Sequence, residues 1–145
     1  RYFIPDESIQ TALLMATMSG VEVNLMFPCK PDHPFVYWAT LSYVGELIMA
    51  GANCYTYDNG FLHAKGLSID GKACCYGTAN MDIRSFALNF EVNAMIFDQN
   101  IAGEMERIFR EDLKCCTRIT KEMYKSRSVW IRFKEQISRL LSPVL

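Results

Sequence analysis

The sequence predicts an α/β fold in which helices flank a mixed β-sheet. Strand-like runs alternate with helical runs along the first half of the chain, and a tight hairpin signal follows them. The chain has 145 residues, of which 50% are hydrophobic and 21% are charged. This composition suits one globular domain and excludes a disordered or fibrous protein.

The elements of the first half are set by apolar spacing and by glycine. The first helix is predicted from apolar residues three and four positions apart between Ile9 and Ala16. Gly51 should end the second helix, because glycine readily adopts the left-handed conformation found after helices. The predicted order is a helix over 6–20, a strand over 21–27, a loop over 28–34, a helix over 35–50 and a strand over 52–57.

The second half is predicted to hold a hairpin, one more strand and a helical end. Asp70-Gly71 lies between two strand-like runs and is a strong signal for a tight turn. After Asp98 the remaining chain is predicted to be helical, with apolar residues from Ile101 to Leu113 on one face. The predicted strands cover 62–69, 72–76 and 90–97.

Charge and cysteine content exclude several classes of protein. The 15 basic and 16 acidic residues leave a net charge of −1, whereas nucleic-acid binding needs a positive field. The six cysteines include two adjacent pairs and no C-x-x-C motif, so we expect reduced thiols and neither a disulfide framework nor a zinc site. No apolar run is long enough to span a membrane. We expect no metal, no cofactor and no nucleic-acid partner.

The segment from His63 to Asn80 is the one that indicates chemistry. On a strand, His63 and Lys65 would point to the same side, and the hairpin would bring Gly77–Asn80 to the same end of the sheet. An imidazole can attack phosphorus or protonate a leaving oxygen, while an ammonium and a carboxamide stabilise charge on phosphate oxygens. Each residue alone has a structural interpretation. Their combined spacing favours a site for phosphoryl transfer.

That spacing, His63-x-Lys65-x4-Asp70-x6-Gly77-Thr78-x-Asn80, resembles the HKD signature of the phospholipase D superfamily. Thr78 stands where the signature usually has serine. The flanking segments are similar to those of bacterial cardiolipin synthases, and the similarity covers essentially the whole chain. These segments are 2–7, 30–34, 77–86, 88–93, 130–134 and 142–143.

The resemblance implies a phospholipase D-like catalytic lobe over 1–117 and a basic amphipathic helical segment over 118–145. Family members resemble two fused lobes with one HKD set each, and this chain has one set. We therefore expect the C-terminal lobe of a longer protein, without its membrane-spanning N-terminus. The implied reaction joins two phosphatidylglycerol molecules through a phosphohistidine, giving cardiolipin and glycerol at the cytoplasmic face of the cell membrane. The lobe should be inactive without the first lobe or a second copy.

The resemblance also assigns roles to individual residues. The implied catalytic residues are His63, Lys65, Asp70, Asn80 and Glu91, and the implied substrate-binding residues are Gly77, Thr78, Arg84 and Ser85. For Asp70 the residues themselves favour a turn former. The Glu91 carboxylate would face the pocket and orient a catalytic imidazole. His33 lacks the x-Lys continuation and is expected to be a loop residue. His63 could be the nucleophile or the general acid/base.

Two other functions stay open from the sequence. One is a phosphodiesterase with a single HKD set, such as a nuclease, that pairs two copies of His63 in a homodimer. The acidic first half counts against that possibility, because residues 1–60 carry two basic and six acidic side chains. The other is a lobe that folds but only provides an interaction surface.

The C-terminal segment has two interpretations. Residues 118–139 carry seven Lys or Arg against two Glu, beside an apolar stripe that runs from Trp130 to Val144. The stripe could dock on the sheet and leave a basic face in water. Alternatively, stripe and cations could lie on an anionic membrane surface, which we expect as a partner. We favour docking for the stripe and keep membrane contact open for the charges.

Overall fold

The computed structural model describes residues 3–30 and 33–142, and it has the predicted mixed α/β architecture. The helices are α1 (Glu7–Met18), α2 (Pro34–Ala50), α3 (Ile83–Ala87), α4 (Gln99–Asp112), α5 (Lys121–Lys125) and α6 (Val129–Leu140). The strands are β1 (Phe3–Ile4), β2 (Asn24–Pro28), β3 (Asn53–Tyr57), β4 (Gly66–Ile69), β5 (Ala73–Gly77), β6 (Met81–Asp82), β7 (Asn93–Ile96) and β8 (Cys116–Ile119). Tyr2, Pro31, Asp32, Pro143 and Val144, which the sequence analysis used, lie outside the described residues.

The strands of the described ranges form three small sheets. In the first, β2 pairs in parallel with β3, and β3 pairs with β8 in the antiparallel sense. The second is antiparallel, in the order β4-β5-β7. The third is a short parallel pair of β1 and β6. The predicted mixed α/β class is therefore confirmed, and its strands divide among these sheets.

Helix α2 is the centre of the core. Its residues are apolar on nearly all sides, and Ala39, Val44 and Leu47 are completely buried. A helix without a polar face must be covered all round. Helices α1, α5 and α6 and strands β1 and β3 provide that cover. The Tyr124 ring of α5 packs onto the backbone of α2 at Gly45, where a Cβ atom would overlap it.

The ends of the first two helices agree with the sequence signals. Asp6 caps α1, since its Oδ1 accepts a hydrogen bond of 2.8 Å from the Ile9 amide. Gly51 ends α2 in the left-handed conformation, with φ of 118°. Asp70 and Gly71 also have positive φ, 51° and 59°, and they join β4 to β5 as predicted.

Two predictions of secondary structure were wrong, and one helix was not predicted. The chain after Asp98 is not entirely helical, because β8 follows α4 and completes the sheet with β3. Helix α3 was not predicted, and five residues are too few for helical periodicity to show. The strand expected over 62–69 begins only at Gly66. His63 and Ala64 therefore lie on no strand.

The last helix packs on α2 with its polar side, which is the reverse of the orientation we favoured. Glu135 and Ser138 are buried, whereas Trp130 and Phe133 of the apolar stripe are exposed. Buried ion pairing decides this orientation, because Arg127 Nη2 donates to Glu135 Oε2 at 2.8 Å. The proposed division at residue 117 falls within β8 and stays a prediction. No helix in the described ranges is both long and apolar enough to cross a membrane.

Candidate functional site

Three passages of the chain meet at one end of the β4-β5-β7 sheet. The ladder pairs Gly66 with Tyr76 and Gly77 with Asn93. One step further along, the Gly77 amide donates to the Lys65 carbonyl at 3.3 Å, and the Thr78 amide donates to the Val92 carbonyl at 2.9 Å. The segments 63–65, 77–80 and 91–93 therefore lie side by side. The antiparallel return predicted for the hairpin is confirmed.

Lys65 and His63 are in direct contact. Lys65 Nζ lies 3.1 Å from His63 Nε2 and 3.4 Å from Nδ1, and it donates to the His63 carbonyl at 3.0 Å. Lys65 therefore places a positive charge directly against the imidazole ring. The Phe61 ring stacks on the imidazole with centroids 5.7 Å apart and planes inclined by 15°. These contacts orient an exposed imidazole although it does not lie on a strand.

The loop after β5 depends on the absence of a side chain at Gly77. A Cβ atom there would lie 2.1 Å from both the Val92 carbonyl oxygen and Asn93 Oδ1. Next to it, Thr78 Oγ1 accepts from the Val92 amide at 2.9 Å, and the Ala79 amide donates to Asn93 Oδ1 at 3.4 Å. Close backbone approach and these hydrogen bonds hold the loop against the 91–93 segment.

Helix α3 fixes the other end of the same loop. Asp82 caps α3, because its Oδ1 accepts from the Ser85 amide at 2.7 Å. The buried Ser85 hydroxyl in turn accepts from the Asn80 amide at 3.1 Å. Ser85 was expected to bind substrate, and these bonds show that it buttresses the Asn80 loop.

A cavity of about 330 Å³ opens beside Lys65 and Asn80. Most of its lining is apolar, including side chains of Leu25, Phe27 and Met95, and its polar residues are Lys65, Asn80 and Asn93. Asn80 Oδ1 is buried and has no hydrogen-bond partner among the described residues. An unpaired buried carbonyl oxygen costs about 1–3 kcal/mol, and this atom has almost no accessible surface at which a ligand could meet it.

Glu91 lies at the same end of the sheet, but it was expected to face the pocket and is not among the residues that line the cavity. Its neighbours Phe90 and Val92 are exposed, whereas Glu91 is half-buried and its Oε1 accepts from Asn89 Nδ2 at 3.2 Å. Hydrogen bonding from Thr78 is the largest cause that lowers the pKa of Glu91. Hydrogen bonds from Asn89 and Ser85 and the positive charge of Lys65 lower that pKa further. The Glu91 carboxylate therefore interacts electrostatically with Lys65 at this edge of the sheet.

Two of the expected site residues lie differently. Asp70 is in the β4–β5 turn, at the far end of a four-residue strand from Lys65. At ~3.3 Å per residue, the strand alone separates them by roughly 13 Å. Asp70 therefore shapes the hairpin and does not contact the Lys65 edge. Arg84 is exposed, and its carbonyl accepts from the amides of Leu88 and Asn89 at the end of α3. His33 is exposed before α2, as expected for a loop residue.

Sequence reasoning missed three residues that build this edge. Phe61 precedes His63 by two positions, a spacing that would have placed both rings on one side of an extended segment. Asp82-x-x-Ser85 carries the signal of a helix cap and could have indicated α3. Asn93 had no local signal, because its contacts with Gly77 and Ala79 exist only once β7 pairs with β5.

Comparison with known proteins gives the family. A family described as "Cardiolipin synthase, PLD-like domain" matches residues 1–113, which is most of the chain and includes the whole edge described above. The chain belongs to this family. As a cardiolipin synthase PLD-like domain, it carries the HKD spacing on the segments 63–65 and 77–80 that the sheet brings together.

Relatives of this PLD-like domain extend the match to almost its whole length. It is 57% identical over 144 residues to the cardiolipin synthase of Oceanobacillus iheyensis and to the major cardiolipin synthase ClsA of Bacillus subtilis. Each alignment covers 99% of this chain and 30% of the relative, so the chain spans about a third of the length of these proteins.

A solved structure supports the fold. The phospholipase D family member Nuc from Salmonella typhimurium superposes with a TM-score of 0.71 at 18% sequence identity. The superposition covers 82% of this chain and 78% of that one. At this identity the likeness concerns the fold alone.

Proposed function

We propose that this chain supplies one half of the active site of a phosphatidyltransferase that makes cardiolipin and glycerol from two phosphatidylglycerol molecules. One observation carries the proposal: Lys65 Nζ contacts the His63 ring, and Lys65 shares an apolar cavity with Asn80. The arrangement joins a nucleophilic or basic nitrogen, a cation and a carboxamide beside space for acylglycerol. This is the chemistry that a lipid phosphodiester requires.

The reaction proceeds by two displacements at phosphorus. In the first, a histidine nitrogen bonds to the phosphorus of one phosphatidylglycerol, and the bond from phosphorus to the glycerol oxygen breaks. The departing oxygen takes a proton from a general acid, which leaves a phosphatidyl-histidine and free glycerol. In the second, a glycerol hydroxyl of another phosphatidylglycerol loses its proton to the same group, now a base, and displaces the histidine nitrogen. No oxidant or reductant is needed.

His63 takes one of these two histidine roles, and the histidine of a second HKD set takes the other. A neutral imidazole carries a lone pair on one ring nitrogen, and that lone pair serves both attack on phosphorus and removal of a hydroxyl proton. The family resemblance favours the general acid/base for His63, with the nucleophile in the first lobe.

Lys65 and Asn80 hold the phosphate. The ammonium neutralises charge that accumulates on the non-bridging oxygens as the bonds to phosphorus change. The Asn80 carboxamide borders the same cavity and offers a donor nitrogen to a phosphate oxygen. Gly77 and Thr78 hold this loop against the 91–93 segment and so position Asn80 for the substrate. Arg84 provides a further exposed cation near the end of α3.

Glu91 is a positioning residue in this scheme. Its carboxylate stays ionised because Thr78, Asn89 and Lys65 stabilise the charged form. A fixed negative charge at this edge supports a protonated histidine after that histidine has removed a proton. Replacing Glu91 with Gln should therefore slow turnover more than it weakens substrate binding. We place Asp70 in the turn that sets the hairpin, outside contact with substrate.

The partners follow from the half-site. A second HKD lobe, or a second copy of this chain, has to provide the other histidine. The substrate is a phospholipid, so we place the complete protein at an anionic membrane surface, on the cytoplasmic face that the family resemblance implies.

The experiment places this chain in a complete enzyme. In the Bacillus subtilis relative, the matching 144 residues are replaced by this chain. The conversion of phosphatidylglycerol to cardiolipin and glycerol by this chimera is then measured. We expect transfer by the chimera and none by this chain alone. His63→Asn should lower the rate by about 10³-fold or more. The matched His33→Asn should leave it unchanged, because the His33 side chain makes no cap hydrogen bond.

Other outcomes separate the competing functions. A His63→Asn chimera as active as its parent would contradict the proposal. Cleavage of DNA by this chain alone, dependent on His63, would favour a homodimeric phosphodiesterase. A chimera that folds but has no transfer activity would support the alternative that this chain only provides an interaction surface.

A further inference from the structure

Helix α6 packs on the protein with its polar side and leaves an apolar side uncovered. Glu135 and Ser138 are each 1% exposed, whereas Trp130 is 74% and Leu140 81% exposed. With 3.6 residues per turn, the exposed apolar side chains fall within an arc of about 120°. We call this set the outer stripe; it consists of Val129, Trp130, Phe133, Ile137, Leu140 and Leu141.

The polar side of α6 is held by specific contacts with the rest of the protein. Arg127 Nη2 donates to Glu135 Oε2 at 2.8 Å, and the two side chains are only 15% and 2% exposed. Beyond Glu135, Arg139 forms an ion pair with Glu46, and the Ser142 and Tyr43 hydroxyls lie 3.0 Å apart. Rolling α6 to bury the outer stripe would break all three contacts. The orientation is therefore a property of the fold.

Cations border the outer stripe on both sides. Arg132 and Lys134 are exposed, and on the helical wheel they lie at opposite borders of the apolar arc. Lys134 Nζ lies 5.5 Å from the centroid of the Trp38 ring, and Arg132 Nη2 donates to the Lys125 carbonyl at 2.6 Å. Within residues 121–142, the exposed basic residues are Lys121, Lys125, Arg132 and Lys134, and the exposed acidic residue is Glu122.

We propose that the outer stripe lies on an anionic phospholipid surface, with α6 parallel to the membrane plane. An apolar arc with cations at both borders is the pattern of an interfacial helix, because the long basic side chains reach lipid phosphates while the stripe enters the acyl boundary. Trp130 suits that boundary, since its ring is apolar and its N–H is polar. The choice of an anionic lipid rests on the proposed function, whose substrate is one.

Tryptophan fluorescence of the 145-residue chain provides the test. The sequence has two tryptophans, so Trp38→Phe leaves Trp130 as the reporter. Vesicles contain equal amounts of phosphatidylglycerol and phosphatidylcholine, or phosphatidylcholine alone, with brominated acyl chains as quenchers. We expect a blue shift and quenching of Trp130 with the anionic vesicles. Both effects should weaken strongly with neutral vesicles and with added salt.

Paired variants separate the charges from the stripe. Arg132→Gln with Lys134→Gln should weaken partitioning about 25-fold, while Arg107→Gln with Arg110→Gln on α4 removes the same charge and should change little. Arg107 and Arg110 are exposed and pair with glutamates on their own helix. Their replacement therefore controls for the loss of two positive charges outside α6.

A second pair of variants tests the apolar side chains of the outer stripe. Phe133→Ser with Leu140→Ser should weaken partitioning by about tenfold or more. Met15→Ser with Met18→Ser, on exposed positions of α1, should leave it unchanged. Circular dichroism verifies that each variant keeps the helical content of its parent.

The inference is overturned if Trp130 does not respond to anionic vesicles, if neutral vesicles quench it equally, or if control pairs weaken binding as much as α6 pairs. The result is independent of catalysis. A His63→Asn chain should bind vesicles like its parent. Transfer by the chimera without a Trp130 response would refute this inference alone, and a Trp130 response without transfer would refute the proposed function alone.

Discussion

Replacing Gly77 with alanine should damage the site more than its small size suggests. The added Cβ would lie 2.1 Å from the Val92 carbonyl oxygen and 2.6 Å from Asn93 Cα, whereas real Cβ contacts stay beyond 3.0 Å. Both obstacles are backbone atoms of the neighbouring passage, so β5 and the 91–93 segment must separate by close to an ångström. The strain should cost about 1–3 kcal/mol of unfolding free energy. The loop that carries Asn80 would move with it.

Urea denaturation and the transfer assay of the chimera measure the two effects. A displacement of this size in a catalytic loop typically lowers turnover by about 10²-fold. Gly103→Ala is the matched control, because the new Cβ on α4 would meet nothing within 4 Å. That control should be neutral or stabilise the fold by up to about 1 kcal/mol. If Gly77→Ala gave the same stability and turnover as Gly103→Ala, the close approach of Gly77 to Val92 and Asn93 would be contradicted.

Two further predictions concern the charges of the fold. Glu135→Ala should destabilise the chain by about 3–5 kcal/mol in urea denaturation, because it leaves the buried Arg127 without its partner. Glu111→Ala breaks the exposed pair with Lys114 and should cost under about 1 kcal/mol. Equal losses of unfolding free energy in the two variants would contradict the burial of the Arg127–Glu135 pair. Thr78→Val should raise the depressed pKa of Glu91 in a carboxyl NMR titration. The ionised Glu91 stabilises the fold at a pH above the ordinary glutamate pKa, and this contribution disappears as the pH falls through the lowered pKa of Glu91. If Thr78→Val left the pKa of Glu91 unchanged, the hydrogen bond from Thr78 would be excluded.

The parts of the fold that the sequence predicted are those with strong local signals. Asp6 and Gly51 set helix ends because one side-chain acceptor or one left-handed glycine suffices there. Asp70-Gly71 fixes the hairpin in the same way, and the hairpin alone brings Lys65 opposite Gly77. The edge of the site was therefore predictable from turn chemistry and strand register.

What escaped prediction depends on tertiary contacts. Strand β8 has four residues and exists because β3 offers it an unpaired edge. Periodicity showed that α6 has an apolar and a polar side, but it does not tell which side faces the protein. The ion pair of Arg127 and Glu135 decides that, and its partners are eight positions apart, one in the α5–α6 connection and one in α6.

The central claim is that Lys65, together with His63 and Asn80, holds the phosphate of the substrate. Two lysines of the same hairpin test it directly in the chimera: Lys65 at the cavity and Lys72, which is exposed beside the β4–β5 turn. Lys65→Gln should lower the rate of cardiolipin formation by about 10²–10³-fold, while Lys72→Gln should leave it unchanged. Equal rates for the two variants would contradict the assignment of the phosphate to this edge of the sheet.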